Sequence, residues 1–455
     1  MKHSASLLVF FLLFIASCTN RSTSKSDFNI VLITIDTLRA DHLSCYGYHR
    51  NTSPNIDKIA RKGILFTNTV ATSSFTSPSM ASIMTSLYPV NHGIRHGIIK
   101  SGEVYDQEIL NGKFDTLVEI LKGNGYTTFG AVANIHMAKE LGFGQGFDYY
   151  YCEGFDEASA LNEVIFSWRD QLKNSKKYFL WVHYFDPHHF YNPRTPWISD
   201  YSAETWIGKN SFEKMSMNEL KKLIPVLEDE KNVLDYLIAL YDSEISYVDY
   251  HMGNLFLDLG LDQHSMIIIT SDHGEEFLDH GSLGHAHTLY QELIHVPLII
   301  KPPVSLKESL MSINHKHASI IDIMPTILGS LEIIPPHENK GNNLFEVKMS
   351  STEQTRDYIF SELDCGNIVH AILKNNWKYI YNAWTQGEEL YNLSKDNKES
   401  DNLIHKNNST ATELKKELFN YLSKTPQTSP TKKRIKPTKE IEEKLKAMGY
   451  IEDDK

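Results

Sequence analysis

The stretch "NIVLITID", Asn29 to Asp36, limits what this chain can fold into more than any other. Its apolar residues run on without alternation and stop at a carboxylate. A strand with one wet face would alternate polar and apolar residues, so a continuous run predicts a strand covered on both faces, as in a mostly parallel sheet. "YFLWVHYFD" and "SMIIITSDHGE" repeat the pattern. Between such runs lie stretches with helical spacing. "SPNIDKIARKGILF" predicts a helix with Ser53 as N-cap, Pro54 at its first position and Gly63 as its stop. "FDTLVEILKGNGY" before "TTFGAVA", and "LDYLIALYDSEISYVDYHMGNLFLDLG" before "SMIIITSDHGE", continue the alternation. The expected fold is α/β: a sandwich around a large, mainly parallel mixed sheet.

After about residue 350 the character changes. "RDYIFSEL", "HAILKNNWKYIYN" and "EELYNLSKD" are short, aromatic-rich and separated by turn signals, which predicts a small C-terminal antiparallel-sheet subdomain. The expected division is 28–348 for the catalytic part and 349–455 for the subdomain. The final "TKKRIKPTKEIEEKLKAMGYIEDDK" reads as a solvated helix. An insertion from Pro193 to about Val226 is expected to roof a pocket.

The chain opens with "MKHSASLLVFFLLFIASCTN", a basic start and an apolar stretch from Leu7 to Ala16 that is too short to span a bilayer. The ending "IASC" predicts a lipoprotein signal peptide over residues 1–17, Cys18 as the lipid-bearing N-terminus and a polar tether over 18–27. The expected location is the bacterial cell envelope, periplasm or outer membrane. Beyond Cys18 only Cys45, Cys152 and Cys365 remain, which excludes a disulfide framework and a thiolate metal site. A net charge of −12 argues against a nucleic-acid groove and against general attraction to anionic lipid. Membrane contact is therefore expected through the N-terminal lipid alone.

Open α/β sheets bind ligands beyond the carboxyl ends of their strands, so the endings "TID", "HYFD" and "TSDHG" are expected to converge. Asp36, Asp272 and His273 then offer two carboxylates and an imidazole, a set suited to Zn²⁺ or Mn²⁺, with Ca²⁺ or Mg²⁺ as alternatives. "SFTSPSMASIMTSLYP" places the Thr76 hydroxyl at the mouth of a helix. Such a hydroxyl is a poor nucleophile unless a divalent cation holds its oxygen, and the helix N-terminus adds positive potential there. Ser77 and Ser79 can cap the helix, which leaves Thr76 for chemistry.

With 21 histidines in the chain, only clusters carry weight. "HYFDPHHFY" holds His183, Asp186, His188 and His189, and "HGSLGHAHTLYQELIHVPLII" holds His280, His285 and His287. His188, His285 and His287 are the candidates to neutralise a tetrahedral anion and protonate its leaving oxygen. His183 reads as buried in its strand, His189 and His295 as structural, and His280 as solvated.

These residues sit in passages that resemble the sulfatase family of the alkaline-phosphatase superfamily: "NIVLITIDTLRADHLSCYGY", "TSPSMASIMTSLYPVNHGIR", "GYTTFGAV", "TSDHGE", "HVPLII", "IIDIMPTIL" and "ELYNLSKD". The resemblance runs along nearly all the chain after the leader. It implies an alkaline-phosphatase-like α/β sandwich with a small C-terminal sheet domain. It also exposes departures. Family sulfatases oxidise a Cys or Ser, followed two residues later by Pro and four later by Arg, to formylglycine. Here those positions are Thr76, Pro78 and Met80, and threonine cannot yield that aldehyde because its β-carbon carries a methyl group. The family's Asp-Asp pair is Asp36-Thr37, its Asp-Asn pair is Asp272-His273, and its lysine region reads Gly284-His285-Ala286-His287.

The resemblance therefore implies one divalent metal on Asp36, Thr76, Asp272 and His273, as in related phosphodiesterases, lipoteichoic-acid-type synthases and phosphoethanolamine transferases. The expected activity is hydrolysis of sulfate or phosphate esters through a covalent ester on Thr76, with a small anionic ester or an envelope glycan or lipid as substrate. A phosphoryl-group transferase of the envelope and a non-catalytic binding lipoprotein are the alternatives.

Overall fold

The computed structural model describes residues 28–101, 104–202, 212, 215–261, 264–306, 317–345, 357–425, 427–435 and 438–448. The expected leader, Cys18 and the whole of the tether lie outside these residues. Among the described residues no helix is long and apolar enough to cross a membrane.

Eight strands form the large sheet, in the order Ala318–Ser319, Ile64–Val70, His295–Lys301, Ser265–Ser271, Asn29–Ile35, Tyr178–Tyr184, Thr127–Val132 and Tyr149–Tyr151. Only His295–Lys301 pairs antiparallel with its neighbours; the other pairings are parallel. The continuous apolar runs are explained by two cores. Ile30 and Leu32 pack into one, while Val31, Ile33 and Ile35 pack into the other. Met266 and Ile268 divide from Ile267 and Ile269 in the same way. The helices Thr76–Thr85 and Ile323–Ser330 cover the first face. The long helix Lys231–Leu259, with Pro54–Lys62 and Ala158–Ser167, covers the second. Both faces are thus dry, and the parallel strands deliver their carboxyl ends to one edge.

Ser53 stands before the Pro54–Lys62 helix as expected, but its hydroxyl does not cap it. It bonds instead to Asp57 Oδ1 and accepts from the Ser44 amide, each at 3.1 Å.

The C-terminal sheet is an antiparallel meander of Ile359–Asp364, Ile368–Lys374, Trp377–Asn382 and Gly387–Asn392. The helix Asn408–Lys424 covers it through Leu414 and Leu418. A buried ion pair within this part of the chain is tied to the catalytic part by a hydrogen bond from Gln291. Lys378 Nζ lies 2.8 Å from Glu399 Oε1 with both side chains fully buried, and Glu399 Oε2 accepts from the Gln291 amide at 2.7 Å.

The last segment differs from the solvated helix expected of it. Thr431–Ile435 is a strand that adds antiparallel to Val104–Ile109, and among the described residues of this segment the helix is Lys439–Ala447. Ile441 and Leu445, four residues apart, make a short apolar stripe on that helix. Leu445 is buried against Ile98 and Tyr105, and Tyr105 Oη donates to Glu442 at 2.8 Å. The segment assigned to the C-terminal subdomain therefore ends on the catalytic part.

Candidate active site

Asp36 follows the Asn29–Ile35 strand and Asp272-His273 follow its parallel neighbour Ser265–Ser271, so strand pairing alone brings them side by side. Thr76 opens the helix Thr76–Thr85 on the same edge, and its Oγ1 lies 3.2 Å from His273 Nε2. His273 Nδ1–H donates to the Gly274 carbonyl at 2.9 Å, which fixes the tautomer and turns Nε2 toward Thr76 and the acids. The same Nε2 is 3.5 Å from Asp272 Oδ2 and 3.9 Å from Asp36 Oδ1. Gly274 must be glycine, because a Cβ there would run into the Glu292 carbonyl.

Thr76 makes no side-chain cap, and neither does Ser77 or Ser79; the Ser79 hydroxyl donates to the Ser73 carbonyl at 2.9 Å. The expected competition between capping and chemistry at Thr76 does not arise. Met80 is buried in the first core, so nothing replaces the arginine of the sulfatase pattern at that position.

The acids are prepared for a cation. Asp36 Oδ1 and Asp272 Oδ2 are fully buried and have no hydrogen-bond partner among the described residues. Leaving such oxygens unpaired is costly unless something positive lies between them. Asp36 Oδ2 accepts from Asn134 Nδ2 at 2.8 Å and from His183 Nε2 at 3.2 Å. Burial works against the Asp36 carboxylate, but the His183 bond and the imidazoles of His188 and His273 hold it below the usual range. Burial and the Asp36 charge push Asp272 the other way. An oxygen of Asp36, an oxygen of Asp272 and a ring nitrogen of His183 all lie within 4.8 Å of one another. These residues fit a divalent cation, and the chemistry is of the mixed oxygen and imidazole kind that zinc and manganese favour.

The histidine candidates separate. His188 and His285 meet edge to face with ring centroids 5.0 Å apart, and His285 lies 4.5 Å from the His273 ring. His188 is held by Nδ1 on the His189 carbonyl at 2.8 Å, and His285 by Nδ1 on Glu275 Oε1 at 2.9 Å. Tyr191 Oη in turn donates to Glu275 at 3.0 Å. Burial pushes His188 down to about 4 and His285 well below its ordinary value, which disfavours the charged form of each ring. His287 is not brought to Thr76. Its Nε2 bonds Glu276 at 2.6 Å and its Nδ1 the His285 carbonyl at 3.0 Å, so it positions His285. His280, expected to be solvated, is stacked on Tyr290 with centroids 3.6 Å apart and bonds Glu292 at 2.7 Å.

Four residues that the sequence reading did not assign a role stand at this site. In the sequence His183 reads as buried in its strand, Glu275 lies inside "TSDHGE", and Asn134 and His136 lie just past "TTFGAVA". His136 is buried edge-on against Phe75 with centroids 5.6 Å apart. Gly97 allows this approach, since a Cβ there would lie 2.6 Å from the Phe75 ring and 2.8 Å from His136. Their signal was available: "ANIH" is another strand tip ending in polar residues.

Around the site, the helix Met217–Lys222 from the expected roof packs on Leu283–Gly284, next to His285. A cavity of about 160 Å³ adjoins His188, walled by Phe155, Phe190 and Arg194 and, from the last helix, by Lys444 and Met448.

A buried hydroxyl beside paired acids and imidazoles, at the strand tips of a two-cored sandwich, defines a class of α/β ester hydrolase. The sulfatase family model matches residues 28–333, and the model for the C-terminal part of N-sulphoglucosamine sulphohydrolase matches 279–427. The chain belongs to the sulfatase family and is a sulfatase-like ester hydrolase. It is 25% identical to an arylsulfatase of Clostridium perfringens, over 87% of this chain and 93% of that one. The fold is shared with a 2-O glycosaminoglycan sulfatase, BT1596, at a TM-score of 0.68 and 18% identity, covering 87% of this chain and 92% of that one. It is shared equally with a phosphonate monoester hydrolase of Agrobacterium radiobacter, at 0.65 and 20% identity, covering 87% and 95%.

Proposed function

We propose that this chain hydrolyses sulfate or phosphate esters with Thr76 as the nucleophile. The observation that carries the reading is Thr76 Oγ1 at 3.2 Å from His273 Nε2, beside the unpartnered oxygens of Asp36 and Asp272. Asp36, Thr76, Asp272 and His273 would hold a divalent cation, which would supply Lewis-acid stabilisation and make the hydroxyl more acidic. Thr76 attacks phosphorus or sulfur in line and forms a covalent ester, which water then cleaves. His188 and His285 face each other on the other side of His273. Burial disfavours their protonated forms, and the charge of an entering ester anion favours them, so that they can donate to its oxygens and to the leaving group. His287 and Glu275 hold His285 in place. The small anionic substrate is in keeping with a related enzyme, BT4656, whose structure holds D-glucosamine-2-N,6-O-disulfate. The proposal includes export and lipidation at Cys18, on the strength of the "IASC" leader.

The test is turnover of nitrophenyl sulfate, phosphate monoester, phosphodiester and phosphonate by the purified chain with added Zn²⁺ or Mn²⁺. Metal-dependent release from at least one ester, abolished in Thr76→Ala, is expected. No turnover of any ester and no bound metal would overturn the reading and favour a binding role.

A further inference from the structure

We propose that His183 is a further ligand of the cation, and that Thr34 and Trp181 select the tautomer that lets it serve. This rests on the metal-site reading above. His183 and Thr34 are register partners on adjacent parallel strands, and both are fully buried. His183 Nε2 is 3.2 Å from Asp36 Oδ2 and belongs to the group with Asp36 and Asp272. On its other side, His183 Nδ1 is 2.8 Å from Thr34 Oγ1. That oxygen is 2.9 Å from Trp181 Nε1 and 3.4 Å from the Val182 carbonyl.

Donor counting gives two arrangements. The indole N–H can only donate, so Trp181 takes one lone pair of the Thr34 hydroxyl. In the first arrangement Thr34 O–H donates to His183 Nδ1, and Nε2–H donates to Asp36. In the second, His183 Nδ1–H donates into the remaining lone pair of Thr34, whose own proton turns to the Val182 carbonyl. The Nε2 lone pair then faces Asp36. Opposite a carboxylate oxygen at 3.2 Å that lone pair is repelled, unless a cation lies between. The second arrangement is therefore the ligand-bearing one. The exchange moves the imidazole proton from Nε2 to Nδ1 and leaves the ring neutral throughout. One hydroxyl at position 34 serves both states. Trp181 fixes its orientation and keeps it from becoming a donor toward the indole.

The experiment uses the full chain, stripped with chelator and reloaded with Zn²⁺ or Co²⁺. Zinc K-edge absorption of the wild type should count two imidazoles, His183 and His273. Thr34→Val should weaken Zn²⁺ binding by about 10- to 100-fold in a competition titration, Thr34→Ser should stay within about threefold, and His183→Gln should shift the Co²⁺ visible bands. A single imidazole in the wild type, or Thr34→Val and His183→Gln variants that bind like the wild type, would overturn the inference. A wild type that turns over esters with one imidazole on its metal sinks this inference alone. One with neither turnover nor metal sinks the functional reading as well.

Discussion

Replacing Lys378 by Met keeps most of the side chain's volume and removes its charge from a fully buried site. The ammonium lies 2.8 Å from Glu399 Oε1, and both side chains are fully buried. Removing one partner of such a pair leaves the other charge uncompensated and costs about 3–5 kcal/mol. At about 2.1 cal/mol/K of unfolding entropy per residue, 455 residues give about 1 kcal/mol/K, so the midpoint should fall by roughly 3–5 °C. The loss should depend on pH. Burial already raises Glu399 above its ordinary value of 4.5, and Lys378 acts to lower it. Without Lys378 it rises further. A raised carboxyl contributes stability that is complete below its unfolded value and is lost as pH rises through the folded one. Lys378→Met should therefore cost less at pH 5 than at pH 8, and adding Glu399→Gln should recover most of the loss at pH 8. Thermal scans by circular dichroism at the two pH values read all of this. A loss that is equal at both pH values, and not relieved by Glu399→Gln, would show that the lysine acts through packing and refute the electrostatic account.

Thr76→Ala should lower turnover by about 10³-fold or more without changing the melting midpoint, as a nucleophile that caps nothing should; activity within tenfold of wild type would remove Thr76 from the chemistry. Glu362 is buried, accepts from Tyr421 Oη at 2.6 Å, and is pushed by burial from 4.5 up to about 7. Its stabilising contribution is complete below 4.5 and fades as pH passes 7. Glu362→Gln should therefore gain on the wild type between pH 5 and pH 8, by up to ~3 kcal/mol, and parallel melting curves at both pH values would count against this. Leu445→Asp should release the last strand and helix, seen as trypsin cutting at least about tenfold faster after Lys432, Lys433 or Arg434 while the rest of the chain stays intact.

The strand tips were legible because a strand dry on both faces must be apolar until it leaves the sheet. The first acid or hydroxyl after each run therefore marks the ligand edge, which located Asp36, Asp272 and His273. The same dryness hid His183. Within "WVHYF" no alternation tells which face a residue takes, and a lone histidine inside such a run is indistinguishable from one satisfied in the core. Only the pairing of its strand with Asn29–Ile35 turns it toward Asp36. Asn134 and His136 were missed because the run before them ends in alanines rather than at a sharp polar boundary. The strand Thr431–Ile435 was unreadable for another reason. "TKKRI" is charged because it lies at a sheet edge, and its partner Val104–Ile109 is more than 300 residues away.

The strand Thr431–Ile435 brings the helix that follows it to the cavity beside His188. Lys444 and Met448 stand at the cavity beside His188, yet residues 431–448 lie beyond both stretches matched by the family models. The wall of that cavity is thus drawn partly from residues that neither family model covers. A change past residue 430 would therefore reshape the space beside His188 without touching Asp36, Asp272 or His273.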